Sequence, residues 1–292
     1  MYRALLLLIL AFAGCAHCDR DPQFLFDLSI AKEYYRNGKF GEAMQKFEDA
    51  VEKCPDSYDA IVGLASSDRE WGMSKFTEAE DLYRVKKIEF AKKEFIKANK
   101  VHQMAEKLFL KAIQLRPKDM LAYRELGIFY YKRATSPYGY PFRIDDQENR
   151  QRERDLAIRY LKQVVEKEPM DWFIQRDLGL ALFSADNSSE GRIHLGAYLS
   201  GMMKARNYLL KVAPRRTTEQ REELSNRLRE LDKQLNQIRS VLYTYVTNLE
   251  KTRAEWKDRG KGEGVAALTQ EILAVQNLLG QYASVGESPK NP

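Results

Sequence analysis

Apolar positions along this chain recur at helical spacing, and they come in paired stretches. Between Leu28 and Asp56, Ile30, Ala31 and Tyr34 share one face of a first predicted helix, at i, i+1 and i+4. After the turn signal Asn37-Gly38, Ala43, Phe47 and Ala50 share a face of a second helix, at steps of 4 and 3. Pro55 cannot continue that helix and ends it. Alanine lets helix backbones close up, and phenylalanine fills the gap that remains. Two helices this short bury too little apolar surface to stand alone, so the pattern demands neighbours.

Similar pairs follow. The closing steps recur at Ala105, Phe109, Ala112 and Pro117, at Ala157, Leu161, Val164 and Pro169, and more loosely at Ala205, Leu209, Val212 and Pro214. The opening halves are Tyr58 with Leu64 and Ala65, then Tyr123, Leu126, Gly127 and Tyr130, then Leu178, Gly179 and Leu182. Together these residues resemble the tetratricopeptide repeat (TPR), whose pattern is W-x2-L-G-x2-Y, then A-x3-F, then P. The first unit departs from it, with Asp27 in the Trp slot and Ala31 in the Gly slot. The resemblance implies an all-α, TPR-like right-handed helical solenoid of about four helix pairs over residues 25–214.

Pro55 to Pro117 is 62 positions, or one 34-residue repeat plus 28. The surplus, near 71–98, reads as an extra or extended helix, because Val85, Ile88, Ala91 and Phe95 keep helical spacing. It either adds a layer to the stack or projects as a partner-binding element, and Gly72 marks the turn before it. A second insertion, near 136–153, holds SPYGYPFRIDD at 136–146, a Pro/Gly/aromatic loop that either binds or packs back. Residues 186–193, DNSSEGRI, read as a polar loop within the fourth pair.

From Thr217 the period changes. Thr217 with Gln220 resembles a capping box, and Leu224, Leu228, Leu231, Leu235, Ile238, Leu242, Tyr245 and Leu249 alternate steps of 4 and 3. This long heptad helix runs to about Arg259, where Gly260–Gly264 breaks it. A final packing helix starts at Val265, with Leu268, Ile272, Val275 and Leu279 on one face, so that 215–285 forms a helical hairpin or cap. The seam either folds back on the last repeat, as a solenoid cap must, or dimerises. Residues 286–292 form a polar tail.

The N-terminus adds a destination. One cation, Arg3, precedes an apolar run from Ala4 to Ala13, too short for a membrane span and right for a signal peptide over 1–14. Ala11-Phe12-Ala13 fits ordinary signal peptidase, while Phe12-Ala13-Gly14-Cys15 resembles a bacterial lipobox with Phe in the Leu slot. The second resemblance implies lipidation (palmitate) of Cys15, a tether over 15–24, and sorting to the outer membrane with Ala16 after the cysteine. The alternative destination is soluble, periplasmic or secreted. Cys18 and Cys54 then either pair or stay reduced.

Net charge is +6 with a pI near 9.0, spread along the chain without a basic stripe, which argues against nucleic acid. His17, His102 and His194 are scattered, and no zinc box, nucleophile turn or phosphate loop is present in the sequence. The chain therefore reads as a non-enzyme without metal or cofactor. What the TPR resemblance implies instead is a groove lined by the first helix of each pair. Carried onto this chain, the lining includes Lys32, Tyr35, Arg36, Arg69, Arg124, Tyr131, Lys132, Arg176 and Phe183. Cations interleaved with aromatics suit an acidic peptide or protein partner. The expectation is an exported, lipid-anchored scaffold or adaptor at a bacterial envelope, with a homo-oligomer assembled through 224–249 as the alternative.

Overall fold

The computed structural model describes residues 21–135, 147–185, 187–212, 217–259 and 261–281. The signal segment, Cys15, Cys18, the 136–146 loop and the tail lie outside these. The described residues form ten α-helices and contain no strand. A first compact unit, ending at Lys167, holds α1 (Pro22–Arg36), α2 (Phe40–Lys53), α3 (Tyr58–Arg84), α4 (Ile88–Leu115), α5 (Met120–Thr135) and α6 (Gln147–Lys167). A second, from Glu168, holds α7 (Trp172–Ser184), α8 (Ser188–Val212), α9 (Thr218–Asp258) and α10 (Gly262–Gln281). The fourth helix pair thus groups with the C-terminal helices, whereas the sequence pattern suggested a division near 214.

In the first unit the helices pack as antiparallel pairs in series. Asp21 caps α1, its side chain accepting from the Gln23 amide at 3.0 Å, and Pro22 occupies the first turn. Gly38 closes α1 with φ at +72°, a conformation that costs glycine little. Ala43, Phe47 and Ala50 are buried, and the Phe47 ring lies where a β-carbon on Gly63 of α3 would sit, 2.2 Å from it. The stack is pinned again at the next step, where the Ala122 amide of α5 donates to the Tyr58 hydroxyl of α3 at 3.1 Å.

The 28 surplus residues form no separate helix. They lengthen both members of the second pair, to 27 residues in α3 and 28 in α4, with the turn at 85–87. Gly72 accordingly lies in mid-helix, not near a turn. Its missing side chain admits His102 of α4, whose ring would come within 2.3 Å of an added β-carbon. That imidazole is 1% exposed and sits edge-on to Phe76 and Phe129, with Nε2 donating to the Arg69 carbonyl at 3.1 Å. Its Nδ1 has no hydrogen-bond partner among the described residues.

In the second unit, Phe183, Leu195, Tyr198, Leu199 and Met202 pack with Leu235, Ile238, Leu242 and Val246 of α9 and with Ile272, Val275 and Leu279 of α10. The heptad seam therefore folds back on its own unit from Leu231 onward. The capping box at Thr217 and Gln220 is present. Two loop expectations are corrected. DNSSEGRI is mostly helix, because Asn187 caps α8: its side chain accepts from the Glu190 amide at 3.4 Å and donates to the Glu190 carboxylate at 2.9 Å. The glycine run likewise breaks the chain only briefly, since α10 begins at Gly262 and the Trp256 ring packs where Gly264 lacks a β-carbon.

Burial pushes the His102 imidazole down to about 4 from 6.5. Below pH 6.5 the unfolded chain takes a proton that the folded one refuses until about pH 4. Stability contributed by neutral His102 is complete above pH 6.5 and is lost as pH falls through that window, by roughly 3 kcal/mol in all. Urea unfolding of wild type and His102→Gln from pH 8 to pH 4 should show a shallower decline in the variant. Parallel curves would contradict this account of the α3–α4 crossing.

Candidate peptide-binding face

The first helices of the three pairs in the first unit, α1, α3 and α5, touch one another in order and share a face. A pocket of about 290 Å³ opens there. Lys32, Tyr35 and Arg36 come from α1, Asp59, Val62, Gly63 and Ser66 from α3, and Leu121 and Glu125 from α5, with Phe47 of α2 behind. The floor is apolar because Phe47 and Val62 are part of the buried packing between pairs. The rim is charged. Lys32 bridges α1 to α3 through Asp59 at 2.9 Å, Arg36 is exposed, and Leu121 stands 45% exposed at the α5 edge.

Deeper along the same face lies a buried ion cluster. Arg69 is 5% exposed and donates through Nη1 to Glu125 at 2.6 Å, through Nε to Glu70 at 2.8 Å, and through Nη2 to the Tyr35 hydroxyl at 3.3 Å. Lys132 donates to the same Glu70 oxygen at 2.6 Å. Burial opposes the Arg69 charge, but Glu125 and Glu70 outweigh it and hold the guanidinium above its ordinary range. Burial also works against the Glu70 carboxylate, and Arg69 and Lys132 override it, so its pKa falls. Burial is the largest influence on Tyr35, whose phenol is pushed up and stays neutral. The cluster stitches α1, α3 and α5 together and fixes the pocket wall. Removing one partner would strand a buried charge, a much larger penalty than a surface pair carries.

Of the residues singled out from the sequence, Lys32, Tyr35 and Arg36 line the pocket. Arg69 and Lys132 lie on the same face with their charges taken by Glu70 and Glu125. Arg124 and Tyr131 are half-buried on α5. Arg176 and Phe183 belong to the second unit. Arg176 pairs with Asp177 at 2.6 Å and lies over the rings of Phe173 and Tyr198, 5.7 and 5.9 Å from their centroids. Phe183 is buried edge-on to Tyr245 of α9, with centroids 4.8 Å apart, so it is part of that unit's core. Glu125 escaped sequence reasoning, which gives Phe47 a place in the core packing but not on the pocket floor. Glu125 falls outside the lining positions the repeat pattern supplies, although its place one turn after Leu121 on the same helix could have drawn attention.

Among the described residues no group of three or more His, Cys, Asp or Glu side chains could hold a metal ion. No described helix is long and apolar enough to cross a membrane. Cys54, buried at the end of α2, is disulfide-bonded.

No protein-family model and no curated protein matches the chain. Among solved structures it is similar to a MamA RS-1 ArsTM double mutant, at 14% identity over 73% of this chain and 96% of that one, with a TM-score of 0.41. It is also similar to a human IFIT1 dimer with PPP-AAAA, at 14% identity over 81% of this chain and 69% of that one, with a TM-score of 0.28. A third is a chain of the APC/C hetero-tetramer Cut9-Hcn1, at 15% identity over 95% of this chain and 46% of that one, with a TM-score of 0.26. None of the three is close enough to place the chain in a family.

Proposed function

We propose that the protein is a TPR-type scaffold that takes a peptide segment of a partner protein into the pocket on the α1–α3–α5 face. The pocket carries this reading: an apolar floor for one or two side chains, with Arg36 exposed at the rim to meet a carboxylate. The inserted residues lengthen α3 and α4 and contribute nothing to the pocket lining. Acidity of the partner rests on Arg36, since Lys32 is paired with Asp59 and Arg69 and Lys132 with Glu70 and Glu125.

The same protein is proposed to act at a bacterial envelope, exported by the signal at 1–14 and held by lipid on Cys15. The oxidised state of Cys54 supports export, because structural disulfides persist in oxidising compartments. A second reading, self-association through the heptad helix, has its own support. Leu224 and Leu228 continue the seam ahead of Leu231, where packing against the core begins, and they stay only half-buried.

Two photo-crosslinking residues test these readings in cells, one at Leu121 on the pocket rim and one at Leu224 on the seam. The scaffold reading expects an adduct with another protein at Leu121 that disappears with Arg36→Glu. Absence of any adduct there would contradict it, and a species of doubled mass from Leu224 would favour self-association. Non-reducing peptide mapping tests the anchor. Cys54 should be joined to Cys18, with radiolabelled palmitate incorporated and lost on Cys15→Ala; a Cys15–Cys54 link would remove lipidation from the account.

A further inference from the structure

The lengthened second pair carries its own surface. At about 1.5 Å per residue α3 spans roughly 40 Å, about twice the span of α2 beside it. Burial in α3 stops at Ala79 and resumes in α4 at Ala91. All eight residues between Tyr83 and Phe90 are exposed, and they form the end of the hairpin. Val85, Ile88 and Phe90 are 64%, 41% and 66% exposed there, with no core of their own to enter. Arg84 is held by Glu80 at 2.7 Å and Asp81 at 3.6 Å, whereas Lys86 and Lys87 form no ion pair among the described residues and outnumber Glu89, the single carboxylate between Tyr83 and Phe90.

The corner itself is strained. Lys86 holds φ at +61°, the conformation that Gly38 holds at the corresponding corner of the first pair, and the same backbone bonds close both turns. A lysine in this region costs on the order of 1 kcal/mol relative to glycine. A strained cation set among exposed aliphatic and aromatic side chains calls for a ligand that rewards both.

We propose that the tip of the α3–α4 hairpin docks the protein onto an anionic lipid surface. Val85, Ile88 and Phe90 enter the headgroup–acyl boundary, while Lys86 and Lys87 meet the phosphates and keep their stems along the apolar layer. The convex end of a hairpin suits a planar interface, where an apolar tip enters and its cations stay at headgroup level. A protein groove would need a single recessed complement to both. This docking is independent of the lipid proposed on Cys15. An acyl anchor holds to neutral and anionic bilayers alike, whereas the tip requires negative headgroups and weakens in salt.

The test uses the full chain carrying Cys15→Ser, sedimented with vesicles of phosphatidylcholine alone or with about one third phosphatidylglycerol. Binding to the anionic vesicles should exceed binding to neutral ones by about tenfold or more, and should fall in high salt. Lys86→Glu with Lys87→Glu should abolish the preference, and Phe90→Ser should weaken binding, with helical content unchanged because every altered residue is exposed. In Phe90→Trp, the added fluorescence should be quenched by brominated lipid in anionic vesicles. Equal sedimentation with both vesicles, no effect of the charge reversals, or an unquenched tryptophan would overturn the proposal. Binding to neither vesicle would overturn it too and point to a protein as the occupant of the tip.

Discussion

The structure depends on one steric constraint: a large side chain on one helix enters the place where its neighbour has no β-carbon. Phe47 does this at Gly63, His102 at Gly72, Leu161 at Gly127 and Leu195 at Gly179. Each contact draws two helix axes together and fixes their relative register, because the notch accepts the bulky group at only one height. Native interiors are packed densely enough that even one added methyl forces a shift. The first of these joins one pair to the next, and the other three join the two helices of a single pair. In the first unit this produces a row of pairs whose first helices share a face, and the pocket is the space left on that face beside the Phe47–Gly63 contact.

Electrostatics completes what packing begins. Arg69 of α3 reaches Tyr35 of α1 on one side and Glu125 of α5 on the other. A buried guanidinium with two carboxylate partners holds the wall of the pocket in one geometry, and it is not available to a ligand. At the rim Arg36 is exposed, while Lys32 is paired with Asp59. In the proposed scaffold, folding and recognition would thus draw on different cations of the same helical face.

Much of the helix pairing was legible in the sequence, because its signals are local. Ala43, Phe47 and Ala50 announce a buried stripe through spacing alone, and Thr217 with Gln220 announces a cap. The loops were misjudged where a side chain did what composition concealed: Asn187 turns a polar run into the start of α8, and Trp256 turns a glycine run into the start of α10. The site was legible only in part. Repeat register found Lys32, Tyr35 and Arg36, but no spacing rule says that Glu125 will neutralise Arg69 across 56 residues, because that pairing exists only once the helices are stacked. Phe183 illustrates the same limit. It occupies a lining position in the repeat pattern, yet α9 folds over it and makes it core.

The interlock can be measured by a double-mutant cycle at its clearest contact. Gly63→Ala puts a methyl where the Phe47 ring lies and should cost about 1–3 kcal/mol in urea unfolding. Phe47→Ala alone should cost about 3–5 kcal/mol by opening a cavity. In the double variant the methyl enters the vacated space, so the account predicts a loss clearly smaller than the sum, by about 1 kcal/mol or more. Strict additivity would show that Phe47 and Gly63 do not meet, and the stacked pairs with their pocket would then have no foundation.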